Sequence, residues 1–349
     1  MATCYVYTIY LCIMHIVIIR ANVANETLYA RLFLDQLDAE AGSAGYTVIR
    51  DGAGPVNNTG KDKITIIELP KGSAVQSWYW QNVKLPAIIK KYNPEKLIWI
   101  EGFIRNRFAI TQYLLLSLPK QQLTKLQNTE SCPTILTHSA AAAGLLQEMP
   151  ATNGCKIESF PLFDLRRLPH NEGRQEMYFY ARIEEGGEDQ FVAVLKAFSV
   201  FKKWQLSGMQ LAVSVHFTET MKSLLETYKF KSDVHINDES FVARSAYAAI
   251  YVSSIDSNYG GVLPYLQAGL PVICPSLTSF TSLYDDAVHY CDQADAKSFG
   301  TAMVELYRNE VLKNGLASRA LQKARAILDN GTTERMRSLL ENPSTTSLS

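Results

Sequence analysis

The sequence predicts an α/β protein made of two doubly wound domains, on three observations. The chain has 349 residues, which at roughly 150 residues per domain is enough for two. Short apolar segments alternate with segments of helical spacing, which is typical of parallel strands joined by crossover helices. The alternation is interrupted at 161–176, a segment with two prolines, an asparagine and a glycine, and then resumes. We therefore expect domains at 1–165 and 166–341, followed by a disordered tail at 342–349.

The elements of the first half follow from apolar runs and helical spacing. Strands are predicted near 14–20, 46–50, 64–69, 96–101, 134–138 and 156–160. Helices are predicted near 25–40, 81–91, 107–118 and 139–147, and Pro119 should end the third of these and open a further helical run to about 126.

The second half repeats the pattern. Strands are predicted near 178–182, 210–215, 234–236, 248–253, 271–274 and 288–291. Helices are predicted around 191–201, from about 262, at 298–308 and at 310–326. Because open α/β sheets bind ligands at the carboxyl ends of their strands, two such domains in tandem predict a ligand cleft between those ends.

Charge excludes several classes of partner. The 34 basic and 34 acidic residues cancel, and both halves of the chain are near neutral. This excludes binding to nucleic acid or to an anionic membrane by bulk charge. Any anion must be bound by a local group of residues.

The six cysteines form no Cys-x-x-Cys pair and lie near no histidine at zinc-ligand spacing. We therefore expect no metal site. We interpret the cysteines as buried, reduced thiols of a cytoplasmic protein.

The N-terminal segment, Met1–Ile19, carries no acidic or basic residue other than His15. A membrane anchor or a signal peptide is one interpretation. However, no lysine or arginine precedes the apolar run, and Met14–Arg20 is typical of the buried first strand of an α/β domain. We favour the strand, and the sequence leaves open whether translation starts at Met1 or Met14.

One stretch, from Ser254 to Ile273, combines the end of a strand, an acidic residue, a glycine pair and a short helix. Gly260 and Gly261 would let the backbone approach a ligand at a helix N-terminus, where free N–H groups favour a phosphate. A plain tight turn explains the same glycines.

This stretch resembles the E-G-F-G-L-P-V-L-E-A-M-x-C-G-x-P-V-I signature of retaining nucleotide-sugar glycosyltransferases of the family four type, which have the GT-B fold. The resemblance covers most of residues 130–328. It includes the segments Tyr178–Arg182, Leu195–Lys203, Met209–Leu211, Asp233–His235 and Leu306–Glu310.

The resemblance implies two Rossmann-like domains facing across a cleft and a nucleotide-sugar donor held by the second domain without a metal or other cofactor. Arg182 matches the family's phosphate-binding arginine; a surface ion pair is its alternative. Asp256 matches the signature's first glutamate, a catalytic-site residue that contacts the donor sugar; a solvated loop aspartate is its alternative. Gly260 and Gly261 would complete the donor site.

Several family positions differ in this chain. The ribose-binding glutamate aligns with Pro264, which accepts no hydrogen bond from a ribose hydroxyl. The phosphate-binding lysine is absent, and the segment 183–189 offers four acids instead, which would oppose a diphosphate. Thr278–Ser282 lacks a further carboxylate of the family.

Two functions follow. The first is a glycosyltransferase that moves a sugar from a nucleotide-sugar to a glycan, lipid-linked or protein acceptor, the lipid-linked case placing it at a membrane surface. The alternative is a catalytically inactive GT-B protein that acts as a binding subunit or scaffold. His138 is a candidate acceptor-side base, with a structural histidine as its alternative. A dinucleotide-dependent enzyme is disfavoured because no Gly-x-Gly-x-x-Gly follows a strand.

Overall fold

A computed structural model describes most of the chain. The described residues are 14–20, 28–40, 45–51, 64–69, 79–92, 94, 96–100, 110–117, 133–168, 177–183, 187–205, 207–292, 295–329 and 331–340. By their internal contacts, Met1–Pro161 and Thr333–Ser349 form one unit and Leu162–Thr332 a second. The predicted tail at 342–349 lies outside the described residues.

Unit 1 is built on a parallel sheet. Among the described residues it has seven strands: β1 (Met14–Arg20), β2 (Gly45–Asp51), β3 (Ile64–Leu69), β4 (Lys96–Ile100), β5 (Thr111–Leu116), β6 (Thr134–Thr137) and β7 (Ile157–Ser159). Their order is β3-β2-β1-β4-β5-β6-β7. The helices are α1 (Leu28–Glu40), α2 (Leu85–Tyr92) after a π-helical turn at Trp80–Lys84, and α3 (Ala140–Gln147), followed by a 3₁₀ turn at Pro150–Thr152.

The first strand is formed by the second part of the apolar N-terminal segment. β1 pairs in parallel with β2 on one side and with β4 on the other. The segment Met14–Arg20 is therefore a central strand, as predicted. Across the described residues, no helix is both long and apolar enough to span a membrane.

The predicted helix at 107–118 is wrong over Thr111–Leu116, which form β5 between β4 and β6. Leu114, Leu115 and Leu116 are all buried. A short run that is apolar on both faces has neither the period of a strand nor that of a helix, so periodicity alone cannot identify it. The further helical run predicted to about 126 lies outside the described residues.

Unit 2 repeats the architecture with a second parallel sheet. Its described strands are β8 (Tyr178–Arg182), β9 (Gln210–Ser214), β10 (Val234–Ile236), β11 (Ala248–Ile250), β12 (Val272–Pro275) and β13 (His289–Cys291), in the order β10-β9-β8-β11-β12-β13. Its helices are α4 (Glu188–Trp204), α5 (Glu219–Glu226), α6 (Leu263–Gln267), α7 (Thr278–Tyr284), α8 (Ala296–Arg308) and α9 (Glu310–Asp329), with 3₁₀ turns at Lys231–Asp233, Ala243–Ser245 and Asp256–Val262.

The core of unit 2 is rich in aromatic side chains from α4. Phe191, Phe198 and Phe201 are fully buried, as their helical spacing predicts, and the Phe201 ring packs edge-to-face on Phe179 of β8 at 5.1 Å between centroids. Their burial packs α4 tightly against the sheet of unit 2. This close packing fixes where the strands of that sheet end.

The last helix, α10 (Thr332–Leu340), belongs to unit 1 from Thr333 onward. The buried ammonium of Lys96 at the start of β4 donates a hydrogen bond to the carbonyl of Leu339 at 2.5 Å. By these contacts α10 joins the unit in which the chain began, and the ranges 1–165 and 166–341 stay a prediction.

The cysteines differ from the prediction at one position. Cys274 and Cys291 are free and buried, as expected. Cys155 is disulfide-bonded, so reading all six as reduced thiols is wrong. Spacing along the chain does not reveal which cysteines meet in the fold, and the argument for a reducing compartment loses its support.

Candidate functional site

The candidate site lies at the point in unit 2 where the strand order reverses. β8 pairs with β9 on one side and with β11 on the other, and all run in parallel. Ligands of open α/β sheets bind beyond the carboxyl ends of the strands at such a point. The residues that the sequence singled out follow here: Arg182 ends β8, and the 3₁₀ turn Asp256–Val262 comes after β11.

Arg182 is half-buried and lies opposite Ser214 in the β8–β9 register. It lines a cavity of about 410 Å³, which we call the donor cavity. Gly261 lines the same cavity, so two of the predicted donor-site residues come together. Aromatic side chains form part of the wall: Tyr180, Phe241 and Tyr265.

Two further arginines line the donor cavity, Arg166 and Arg167. Sequence reasoning missed both because they lie in the segment interpreted as a linker. Arg166 makes a two-pronged ion pair with Asp164, from Nε to Oδ1 at 2.8 Å and from Nη2 to Oδ2 at 2.5 Å. The adjacent basic pair in Asp164–Arg167 was the available signal, but a basic pair in a loop is usually solvated.

The segment that carries these arginines is fixed to the predicted glycine stretch. The N–H of Asp164 donates to the carbonyl of Gly260 at 3.0 Å. The N–H of Leu162 donates to the hydroxyl of Tyr259 at 2.9 Å. Burial raises the pKa of Tyr259, so this hydroxyl stays neutral across the ordinary pH range. Hydrogen bonds from its backbone therefore fix the segment that carries the two arginines.

The described lining of the donor cavity is positively charged. It has three arginines and two carboxylates, those of Asp164 and Glu239. One of the arginines, Arg166, is ion-paired with Asp164. An anion is the complementary ligand for such a cavity.

The acids of segment 183–189 do not all oppose an anion. Glu188 and Asp189 lie in the first turn of α4, where the helix dipole favours negative charge. Glu188 also accepts a hydrogen bond from Thr218 at 2.8 Å, and neither residue lines the donor cavity. The other two acids, at 184 and 185, lie outside the described residues.

The glycine pair lies within a helical stretch. The 3₁₀ turn Asp256–Val262 continues directly into α6, and Gly260 and Gly261 are both buried. A Cβ on Gly261 would lie 2.5 Å from the hydroxyl oxygen of Tyr251, which itself donates to the Asn258 carbonyl at 2.7 Å. Close packing on Tyr251 thus explains the need for glycine at 261. A contact of these glycines with a donor stays a prediction.

Asp256 is half-buried, and its carboxylate contacts Ser279 in α7. Oδ1 accepts from the Ser279 N–H at 2.8 Å, and Oδ2 accepts from the Ser279 hydroxyl at 2.5 Å. Asp256 does not line the donor cavity. The structure therefore gives Asp256 a local role at the start of α7, and its catalytic role stays a prediction.

His138 follows β6 in unit 1, whereas the other predicted site residues belong to unit 2. It is only 2% exposed, and its ring packs edge-on against Tyr29 at 5.9 Å between centroids. The Tyr29 hydroxyl in turn donates to the Phe160 carbonyl at 2.8 Å. This packing accounts for a histidine here, and the role of acceptor-side base stays a prediction.

No cluster of three or more histidine, cysteine or acidic side chains suited to a metal ion occurs within the part of the chain that the structure describes.

Comparison with known proteins relates this architecture to solved structures. No family model and no curated protein sequence matches the chain. A similar solved structure is WaaG, a glycosyltransferase involved in lipopolysaccharide biosynthesis, with a TM-score of 0.70 and 11% identity over 94% of this chain and 100% of that one. Another is the sucrose-phosphate synthase of Thermosynechococcus elongatus, with a TM-score of 0.67 and 12% identity over 93% and 98%. A glycosyltransferase from Rickettsia africae has a TM-score of 0.65 and 14% identity over 95% and 100%.

This chain has the GT-B fold. At such low identities the likeness concerns the fold alone. It confirms the predicted α/β class with two Rossmann-like sheets and the predicted resemblance to GT-B glycosyltransferases.

Pro264 is a position at which this GT-B chain differs from the family signature, and the structure shows its surroundings. It lies in the first turn of α6, is buried, and lines the donor cavity. Its ring suits the start of the helix and has no oxygen for a ribose hydroxyl. A ligand in this cavity would therefore contact an apolar surface at this position.

Proposed function

We propose that this protein is a glycosyltransferase that uses a nucleotide-sugar donor, with the diphosphate bound in the donor cavity. The observation that carries the proposal is the presence of Arg166, Arg167 and Arg182 around one cavity at the carboxyl end of β8. Proteins hold nucleotide-sugars by their diphosphate, and one guanidinium group can donate two parallel hydrogen bonds to phosphate oxygens. The GT-B fold supports the same function.

The arginines of the donor cavity would supply the positive charge that the phosphate-binding lysine supplies in the family and that this chain lacks at the lysine's position. In the reaction, the bond between the sugar's anomeric carbon and the diphosphate breaks, and a bond to an acceptor oxygen forms. The acceptor hydroxyl gives its proton to water, and the nucleoside diphosphate leaves with the electron pair of the broken bond and an extra negative charge. Arginines that face the diphosphate stabilise this charge as it develops, which lowers the barrier.

The donor and acceptor classes follow from resemblance. One solved structure of the same fold, with a TM-score of 0.57 and 9% identity, is described as bound with UDP-2-fluoro glucose. We accordingly propose a nucleoside diphosphate sugar as donor, transfer with retention of the anomeric configuration, and a glycan, lipid-linked or protein acceptor.

Two observations favour the alternative of an inactive GT-B binding protein. The Asp256 carboxylate is engaged by Ser279 through both oxygens, and Pro264 cannot bind a ribose. A protein with these features could keep the cavity for binding alone.

Thermal-shift titration with a panel of nucleoside diphosphates and their sugars tests donor binding. Because a ligand of the folded state raises the melting temperature, we expect a shift with at least one nucleotide and a reduced shift in Arg182→Ala. A matched control is Arg308→Ala, which removes an exposed arginine outside the donor cavity. No shift with any nucleotide would contradict the proposal.

Release of the nucleoside diphosphate separates the two functions. A glycosyltransferase releases it from the bound nucleotide-sugar, by slow hydrolysis or faster with an acceptor extract. A scaffold binds the nucleotide-sugar and leaves it intact.

A further inference from the structure

A second cavity in unit 2, of about 300 Å³, is lined by three arginines from three different elements. Arg167 comes from the segment before β8, Arg244 from the 3₁₀ turn Ala243–Ser245, and Arg325 from α9. We call it the second arginine cavity. Arg167, Leu168 and Pro264 also line the donor cavity, whereas Arg244 and Arg325 line only the second.

The described lining of the second arginine cavity is positively charged. It contains no carboxylate. None of its three arginines forms an ion pair or side-chain hydrogen bond with another residue in the described ranges. Arginine keeps its charge at any ordinary pH. All three are exposed, so solvent screens their mutual repulsion, and an anion is the ligand complementary to their charge.

Other basic residues of α9 lie close to carboxylates, unlike Arg325. On α9, Arg319 lies 3.2 Å from a carboxylate oxygen of Asp286, and Lys323 lies 2.5 Å from one of Asp285. Arg325, two residues further on, has no such partner among the described residues and lines the cavity. Two other basic side chains of α9 are thus ion-paired, whereas Arg325 faces the cavity.

The rest of the lining indicates what the anion carries. Gln267 of α6 also lines the cavity, and Leu168, Leu321 and Leu328 add apolar wall, which suits the carbon atoms of an organic phosphate.

We propose that the second arginine cavity binds an organic phosphate ester, beside the donor cavity and sharing Arg167 with it. The arginines bind the phosphate oxygens, and the leucines contact the carbon atoms of the ester. A soluble phosphate ester and a phospholipid headgroup present this same chemistry.

Calorimetric titration with glycerol 3-phosphate tests the proposal, using the variant Arg244→Gln/Arg325→Gln. Both residues are exposed, so their replacement leaves the core intact. We expect the double variant to bind at least about tenfold more weakly than the wild type. The matched control is Arg308→Gln/Arg335→Gln, which removes two exposed arginines elsewhere and should retain wild-type affinity. Arg182→Gln should also retain it, because Arg182 lies only in the donor cavity, so this test is independent of the proposed transferase function.

Vesicles of phosphatidylcholine with and without phosphatidylglycerol identify the source of the phosphate. Co-sedimentation that requires phosphatidylglycerol, Arg244 and Arg325 would support a headgroup ligand. Binding of glycerol 3-phosphate without co-sedimentation would support a soluble one. Equal weakening in both double variants, or no binding to either probe, would overturn the proposal.

Discussion

Asp256 has two competing explanations, as a cap for a helix and as a contact for the donor sugar. Its carboxylate accepts hydrogen bonds from the N–H and the hydroxyl of Ser279. Ser279 is the second residue of α7, where backbone N–H groups have no partner within the helix. Asp256 therefore acts as a cap for α7, supplied from a distant part of the chain.

We predict that Asp256→Asn lowers the free energy of unfolding by about 1–2 kcal/mol, because an amide offers one accepting oxygen where the carboxylate offers two. Ser279→Ala keeps the backbone N–H and should cost less, about 0.5–1 kcal/mol. Urea unfolding measures both. If Asp256 serves only the donor sugar, Asp256→Asn will leave unfolding unchanged and weaken only the donor's binding.

Residues of the donor cavity were predictable only in part. Arg182 is the last residue of β8, and Gly261 lies in the turn that follows β11, so the order of elements places both at the carboxyl edge of the sheet. Arg166 and Arg167 lie in a segment without periodicity, and their position depends on backbone bonds to Tyr259 and Gly260. Such contacts between residues about 95 positions apart leave no local pattern in the sequence.

At the scale of elements, one glycine sets the distance between α4 and α8. A Cβ on Gly300 of α8 would lie 2.5 Å from the Cβ of Val200 and 2.6 Å from the carbonyl oxygen of Ala197, both in α4. A backbone atom cannot move aside as a flexible side chain can. The two helices can approach this closely only because residue 300 is glycine.

We predict that Gly300→Ala destabilises unit 2 by about 1–3 kcal/mol, since α4 and α8 must separate to admit the methyl group. Gly315→Ala in α9 is the matched control. Its Cβ would meet only the far end of Arg319, at 3.2 Å, so higher helix propensity should stabilise that variant by about 0.5–1 kcal/mol. Thermal unfolding compares the two, and equal effects would refute the close contact.

The element scale also shows where periodicity fails. Strands flanked by turns, such as β8 and β12, were placed within a residue or two of their observed bounds. β5 was mistaken for a helix because its apolar run is buried on both faces between neighbouring strands. Its identity depends on the sheet that surrounds it, which no local window contains.

At the scale of the whole molecule, both units repeat one topology, and unit 2 also contains a group of buried hydroxyls and thiols. Burial raises the pKa of Cys291 and of Tyr228, in each case to about 12. It also raises the pKa values of Tyr284 and Cys274. All these groups are neutral when protonated, so the folded state holds their protons more tightly than the unfolded chain does.

We therefore predict that unit 2 loses stability in alkali. Below about pH 9 both states are protonated and the stabilisation is complete. As pH rises from about 9 to 12, the unfolded chain ionises first, and the free energy of unfolding should fall by roughly 2 kcal/mol or more. Urea unfolding at a series of pH values measures the decline. A free energy that stays constant over this range would show that these groups are not buried.

The central claim is that the diphosphate of a nucleotide-sugar binds Arg182 and its neighbours in the donor cavity. Isothermal titration with a nucleoside diphosphate and with the same nucleoside, into wild type and into Arg182→Gln, tests it most directly. Because the arginine contacts phosphate, the substitution should weaken binding of the nucleoside diphosphate by about tenfold or more and leave the affinity for the nucleoside unchanged. Equal affinity of the two proteins for the diphosphate would contradict the claim.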